Sequence, residues 1–120
     1  MKKSNYYIGH FAEKIALIYL LCIGYWPIKI NYVTGRGTGA SEIDLIVRKA
    51  KTLVFVEVKK RKDLITSAEA ITPKSKMRLA RATNAFLQKH PKYKKYKIRF
   101  DAILFEKNFW PHHIKDAWRL

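Results

Sequence analysis

Cysteine is almost missing from this 120-residue chain: Cys22 stands alone, which excludes an intrachain disulfide and a cysteine-based zinc site. Set in an apolar stripe, Cys22 reads as a small buried hydrophobe. Acid is scarce as well. Nine Asp and Glu face 25 Lys and Arg, a formal net charge of +16. A field of that sign draws polyanions, and nucleic acid is the commonest polyanion in a cell. An anionic membrane surface is disfavoured because no long basic amphipathic helix with a Trp/Leu face is present. Long apolar runs are lacking too. The richest stretch, Ile15 to Trp26, is too short to span a bilayer. Lys2-Lys3 ahead of it has the look of a signal peptide, but Glu13 and Lys14 interrupt the approach and no small-x-small site follows. The expected setting is reducing and cytoplasmic, without a membrane partner. The glycine loop at 35–39 lacks a GK[ST] ending, so it is no P-loop, and no pattern indicates a serine or cysteine nucleophile. His112 and His113 are adjacent and in a strand would point to opposite faces. Neither they nor His10 and His90 receive a role.

What is present suits a globular protein: 48% of residues are hydrophobic and 13% aromatic, and residues 1–120 fit one domain with a real core. Ile8, Phe11, Ala12, Ile15, Ala16, Tyr19, Leu20 and Ile23 recur at three- and four-residue spacing, which predicts a helix from about Asn5 to Ile23, stopped by Gly24. Tyr25 to Val33 reads as a strand with Pro27 near its start. After the glycine loop come two strands, around Glu42–Ile46 and Phe55–Lys59, joined by a short polar turn. Thr72-Pro73 opens a second helix running to about Lys89, with Met77, Ala80, Phe86 and Leu87 on its buried side. A strand from about Lys97 to Glu106 follows, then a helical turn around Ile114 to Trp118. The order α-β-β-β-α-β predicts an α/β fold, a mixed β-sheet flanked by helices.

The two central strands carry the chemistry. With the turn centred between Ala50 and Lys51, Asp44 faces Glu57 and Glu42 faces Lys59, while Ile43–Val58, Leu45–Val56 and Val47–Val54 form the core surface. Like charges directly opposite are destabilising in a sheet, and such a pair has Cβ atoms about 4.5–5.5 Å apart. Two carboxylates held so close suit one hard divalent cation, Mg²⁺ or Mn²⁺, with the Val58 carbonyl as an extra ligand. Lys59, two residues beyond Glu57, is placed to hold an attacking water or to stabilise charge on a phosphate. Glu13 could reach the sheet end from the first helix.

Between Glu57 and Arg99 the acids number three and the cations fourteen. Lys60, Arg61 and Lys62 directly follow the proposed site, and Lys74, Lys76 and Arg78 give the second helix a basic side; these are the expected phosphate contacts. Lys92-Tyr93-Lys94-Lys95-Tyr96-Lys97 interleaves aromatics with cations but reads more simply as a solvated loop.

Glu42-Ile43-Asp44-Leu45-Ile46, Val54-Phe55-Val56-Glu57-Val58-Lys59 and Arg99-Phe100-Asp101, together with Gly9-x-x-x-Glu13, Gly24-Tyr25, Asn31 and Lys115-Asp116-Ala117, resemble the small bacterial YraN-type family. That family looks like a compact branch of the restriction-endonuclease-like PD-(D/E)xK superfamily, similar to archaeal Holliday junction resolvases. The resemblance implies a restriction-endonuclease-like core and a Mg²⁺-dependent endonuclease acting on DNA, with branched DNA the attractive substrate. It makes Asp44 the superfamily's first catalytic aspartate, Glu57 and Lys59 its E-x-K, and Glu13 the helix-one glutamate of resolvase-like members. An active resolvase would form a homodimer, since symmetric junctions need two cuts. Two departures stand out: Ser41 replaces the glycine before the strand, and Ser75 falls where the family carries a lysine that Lys74 or Lys76 would replace. The rival expectation is a non-catalytic nucleic-acid-binding or adaptor domain that keeps the fold. An RNA-binding partner of the ribosome rests on charge alone.

Overall fold

Ala12, Ala16 and Leu20, one helical turn apart and fully buried, form the line on which the first helix meets the sheet. The computed structural model describes residues 2–34, 41–60, 73–105, 110–117 and 119, with the backbone alone at 2–10, 34, 41, 60 and 75. Helix α1 (Lys2–Cys22) is followed by β1 (Trp26–Thr34), β2 (Ser41–Lys49) and β3 (Thr52–Lys60). Helix α2 (Pro73–Lys89) and a short 3₁₀ turn (Pro91–Tyr93) lead to β4 (Lys97–Phe105) and β5 (Pro111–Ile114). The sequence order α-β-β-β-α-β is therefore the observed one, with one strand added at the end. The glycine loop, Arg61, Lys62 and the Thr72 cap fall outside the described residues.

Helix α1 ends where Gly24 adopts φ +94°. The Tyr25 amide donates to the Leu20 carbonyl at 2.9 Å and the Gly24 amide to Leu21 at 3.2 Å, the paired bonds of a Schellman turn. A Cβ on Gly24 would meet Lys49 Cε at 3.3 Å. The turn aims Tyr25 into the core and starts β1. Contrary to the apolar-stripe reading, Phe11 is exposed and so is Cys22, because the sheet contacts a narrower stripe than the periodicity marks.

The strands lie in the order β1-β2-β3-β4-β5. Neighbours are antiparallel except β3 and β4, which run parallel. A parallel neighbour needs a crossover, and α2 supplies it. Since β3 ends at Lys60 and β4 starts beside Thr52, the connection that contains α2 returns along the length of the sheet. Both sheet faces are covered. Leu45, Val47, Val54, Val56, Ile103 and Phe105 pack under α1; Ile46, Leu53, Phe55, Phe100, Ala102 and Leu104 pack under α2. The expectation of one core face is thus too small, and the near-continuous apolar runs of β3 and β4 reflect burial on both sides.

Beneath α2, Phe86 lies edge-on to Tyr32 and Phe55, with ring centroids at 5.3 and 5.9 Å, and stacks on His90 at 4.2 Å and Tyr93 at 5.8 Å. Among the described side chains of this helix, Leu79, Ala82, Thr83 and Phe86 are buried, while Met77 is 60% exposed, one position off the face the spacing suggested. The tail also differs from expectation. Pro111–Ile114 is a strand on β4's outer edge, pairing Leu104 with His112 and Ile103 with His113, and among the described residues a turn at 115–116 follows it. No helix among the described residues is long and apolar enough to cross a membrane.

Candidate active site at the acidic end of the sheet

The β2–β3 hairpin follows the expected register: Lys49 pairs with Thr52, Val47 with Val54 and Leu45 with Val56. Ala50 and Lys51 form a two-residue turn in which Ala50 takes φ +53°. Beyond Leu45 the regular pairing gives way to a side chain. The Val58 amide donates to Asp44 Oδ2 at 2.8 Å. Strand β2 is irregular here, because Ile43 joins the core under α2 while Leu45 joins the core under α1; strict alternation would leave both on one face. On the other side of β2, Asn31 sits between the pairs Ile30–Leu45 and Tyr32–Ile43, with φ +52°. Asn is among the few side chains that tolerate this backbone, and its presence inside a strand-like run was the available signal for the distortion.

This kink gathers the acids. Asp44 meets Glu57 across the hairpin, as the register predicts, close enough for the two carboxyls to interact. Burial, followed by the charge of Glu57, pushes the Asp44 carboxyl up to about 9; the Val58 amide opposes the shift and Glu13 adds to it. Glu13, half-buried on α1, and the exposed Glu42 bring carboxylate oxygens to within 4.8 Å of one another and of Asp44. Glu42 was expected opposite Lys59. Instead Lys59 Nζ lies 3.2 Å from Glu57 Oε1 on its own strand, because the ladder bends at Asp44 and Glu42 turns to the α1 side. Glu42 is therefore the acid that the register reading misassigned. A cavity of about 250 Å³, lined by Glu13, Lys14, Leu17, Ile30 and Asn31, adjoins the group.

Four of the expected residues, Glu13, Asp44, Glu57 and Lys59, thus come together around the Val58 amide. The crowding suits a hard divalent cation: oxygen donors converge, and burial, with the charges of Glu57 and Glu13 added to it, keeps a proton on Asp44 near neutrality. Among the expected phosphate contacts, Lys74 and Arg78 are exposed and Lys76 is half-buried on the first turns of α2. The Lys60 side chain, Arg61 and Lys62 lie outside the described residues.

A second charged group went unassigned in the sequence. Asp101 on β4 is fully buried. Arg99 donates to it twice, from Nε to Oδ1 and Nη2 to Oδ2, both at 2.8 Å. His113 Nε2 donates at 2.7 Å and the Asp116 amide at 3.0 Å. These bonds outweigh burial and hold the Asp101 carboxyl down at about 2. Arg99 Nη2 also donates to the Tyr25 hydroxyl at 2.6 Å. An ionised Asp101 accepts only, so His113 carries its proton on Nε2. In the neutral ring, Nδ1 then accepts from the Tyr19 hydroxyl at 3.0 Å. Burial raises the Tyr19 pKa, the opposite of an activated nucleophile. This network fastens β5, β4 and α1 together. His112 and His113 occupy successive positions of β5; His113, to which no role was assigned from the sequence, enters the network.

The chain matches the family model described as Uncharacterised protein family UPF0102 over residues 12–105. A UPF0102 protein of Paramagnetospirillum magneticum is 39% identical over 112 residues, which cover 93% of this chain and 87% of that protein. One of Parvibaculum lavamentivorans is 38% identical over 116 residues, covering 97% and 84%, and one of Methylorubrum extorquens is 35% identical over 119 residues, covering 99% and 90%. The matched span contains Glu13, Asp44, Glu57, Lys59 and Asp101 and ends before β5.

Proposed function

This chain belongs to the UPF0102 family, the YraN-type family its motifs resemble, and from the geometry of its acidic end we propose that it is a divalent-cation-dependent DNA endonuclease. The observation that carries this reading is the Asp44 carboxylate, fixed by the Val58 amide at 2.8 Å and pressed against Glu57, whose own partner is Lys59 at 3.2 Å. Asp44, Glu57 and the Val58 carbonyl are the groups that would hold Mg²⁺ or Mn²⁺, with Glu13 and Glu42 beside them. When bound, the ion supplies positive charge that polarises a phosphodiester and acidifies water.

The residues divide the remaining tasks. Lys59 is 26% exposed at its side chain, and its ammonium has three donors; Glu57 takes one, leaving others to orient water for in-line attack on phosphorus. Glu13 supports the site from α1 by orienting solvent beside Asp44. Lys74, Lys76 and Arg78 are the cations that would grip backbone phosphates flanking the scissile one, and the N-terminus of α2 would add its own positive end. Branched DNA is the substrate class proposed, with two copies of the chain needed to cut a symmetric junction.

The test is cleavage of linear, flap and four-way DNA substrates in Mg²⁺ or Mn²⁺, with Glu57→Ala and Lys59→Met alongside. Metal-dependent cutting of the branched substrates, lost by about 10²-fold or more in either variant, is expected. DNA binding by the wild type with no cutting in either metal would instead assign a non-catalytic nucleic-acid-binding or adaptor domain, the reading that the charge of +16 would equally favour.

A further inference from the structure

Charge is segregated along the strands. Glu42, Asp44 and Glu57 occupy one end of the sheet, and cations crowd the other. Lys49 precedes the β2–β3 turn and Lys51 lies in it, the Lys97 amide donates to the Lys51 carbonyl at 2.9 Å, and Arg99 follows two residues along β4. A cavity of about 370 Å³ opens at this end, lined by Lys97, Ile98, Arg99, Phe100, Asp116 and Arg119. Two of its three cations already have carboxylates: Asp101 takes Arg99, and Asp116 accepts from Arg119 at 2.9 Å. Lys97 is exposed and has no ion pair among the described residues, and Lys51 stands next to it. The local excess is therefore positive.

The cavity is more than a basic surface because one donor in it is fixed in advance. Arg99 is clamped through Nε and Nη2 by a fully buried carboxylate and by the Tyr25 hydroxyl, and its guanidinium lies over the Tyr25 ring at 5.8 Å. With those nitrogens committed inward, the Nη1 edge is the part left for a ligand. A pre-set planar donor loses little entropy on binding, and guanidinium geometry matches phosphate oxygens. Lys97 and Arg119 are long, exposed cations on either side that can close on the same anion.

We propose that this cavity is a phosphate-binding site, physically separate from the acidic end, with Arg99 as its fixed donor and Lys97 and Arg119 as its mobile ones. The ligand chemistry is a phosphoryl oxygen, carried either by a nucleic-acid backbone or by a free phosphorylated molecule. Along β3, Val54, the partner of Arg99, and Lys59 are separated by five residues, which at about 3.3 Å each is about 16 Å. That span is long enough to cover successive phosphates of one nucleic-acid strand. The choice of a nucleic-acid source rests on the endonuclease reading; the anion site itself does not.

The experiment uses the full chain in EDTA, which removes the acidic end's cation from the measurement. A Lys97→Glu/Arg119→Glu double variant is compared with wild type and with a charge-matched control, Lys29→Glu/Lys92→Glu, whose two lysines are exposed elsewhere. Equal melting temperatures establish that all three are folded. Inorganic phosphate is titrated while the Arg99 Nε–H resonance is followed, and a 12-base-pair duplex is titrated by fluorescence anisotropy at several salt concentrations. Expected are phosphate-dependent movement of the Arg99 signal in wild type and control but not in the double variant, a drop in duplex affinity at least 10-fold beyond the control, and a salt slope lower by about one for each phosphate no longer gripped. Abolished phosphate binding with duplex affinity equal to the control supports the site and assigns it to a free phosphorylated molecule. A silent Arg99 signal in wild type, or identical behaviour of the two double variants in both titrations, overturns the proposal. Mn²⁺ titration of the same proteins reports on the acidic end, so failure of the endonuclease reading shows up separately.

Discussion

Replacing Asp44 by Asn should stabilise the metal-free protein. The Asp44 carboxyl is raised from an ordinary value of 3.8 to about 9, so between those values the folded chain holds a proton that the unfolded chain has released. Stability must then fall as pH rises from about 4 towards about 9, with a limiting slope of about 1.4 kcal/mol per pH unit. Asn keeps the shape, can accept from the Val58 amide and donates to Glu57 without titrating. By pH 7 the full slope would amount to about 4 kcal/mol; because neighbouring acids share the repulsion, about 2 kcal/mol is the working figure, equivalent to roughly 8 °C in a domain of this size. The assay is thermal unfolding of both proteins in EDTA from pH 5 to 8, taking the difference between them so that other titrating groups cancel. That difference should widen with pH. A repeat in Mn²⁺ should reverse the order: at about 100 times its dissociation constant a ligand adds about 2.7 kcal/mol to wild type, and Asp44→Asn should gain little. If Asp44→Asn melts below wild type at pH 7 in EDTA, or the difference is flat across pH, the account of crowded carboxylates is wrong.

Asp101 predicts the opposite pH limb. Its carboxyl is lowered to about 2, so its contribution is fully present above about 4 and is lost as pH falls through 2, about 2 kcal/mol in all; acid unfolding followed by circular dichroism should show it, and Asp101→Asn should abolish that limb while costing about 3–5 kcal/mol by leaving Arg99 uncompensated. Ala50→Gly should stabilise the hairpin by about 0.5 kcal/mol, relief of the positive φ exceeding the entropy cost, measured by urea midpoint. Gly24→Ala should lower stability by about 1–2 kcal/mol in the same assay, from the left-handed backbone and the approach to Lys49. Phe86→Ala, which empties the centre of the aromatic cluster under α2, should cost about 3–5 kcal/mol.

The hairpin was legible because its signals are local. Charges at alternate positions and a two-residue turn define a register from Leu45–Val56 to Lys49–Thr52 without reference to the rest of the chain. The kink at Asp44 was not, since it depends on an amide of β3 and on Asn31 of β1, and so the pairing of Glu42 with Lys59 was misread. Periodicity located both helices but misplaced Met77 and Phe11, because a repeat marks a direction and the sheet decides how wide a stripe is covered. Strand β5 was hidden for a related reason. Pro111-His112-His113-Ile114 has no pattern of its own, and it is a strand because β4 offers an edge and Asp101 accepts from His113. The Arg99–Asp101 pair was visible as letters, yet its burial under Tyr19 and Tyr25 is a property of the assembled layers.

The parallel pairing of β3 with β4 has a kinetic consequence. Strands β2 and β3 can zip together through a two-residue turn within microseconds, whereas β4 must wait until the chain has wound through α2 and returned, a closure that carries a larger entropy barrier. Asp44 and Glu57 therefore meet early, on a half-built sheet still open to water that screens them. On this topology the docking of β4, and then of β5 through His113, is expected last, sealing the layers over a charge arrangement already in place.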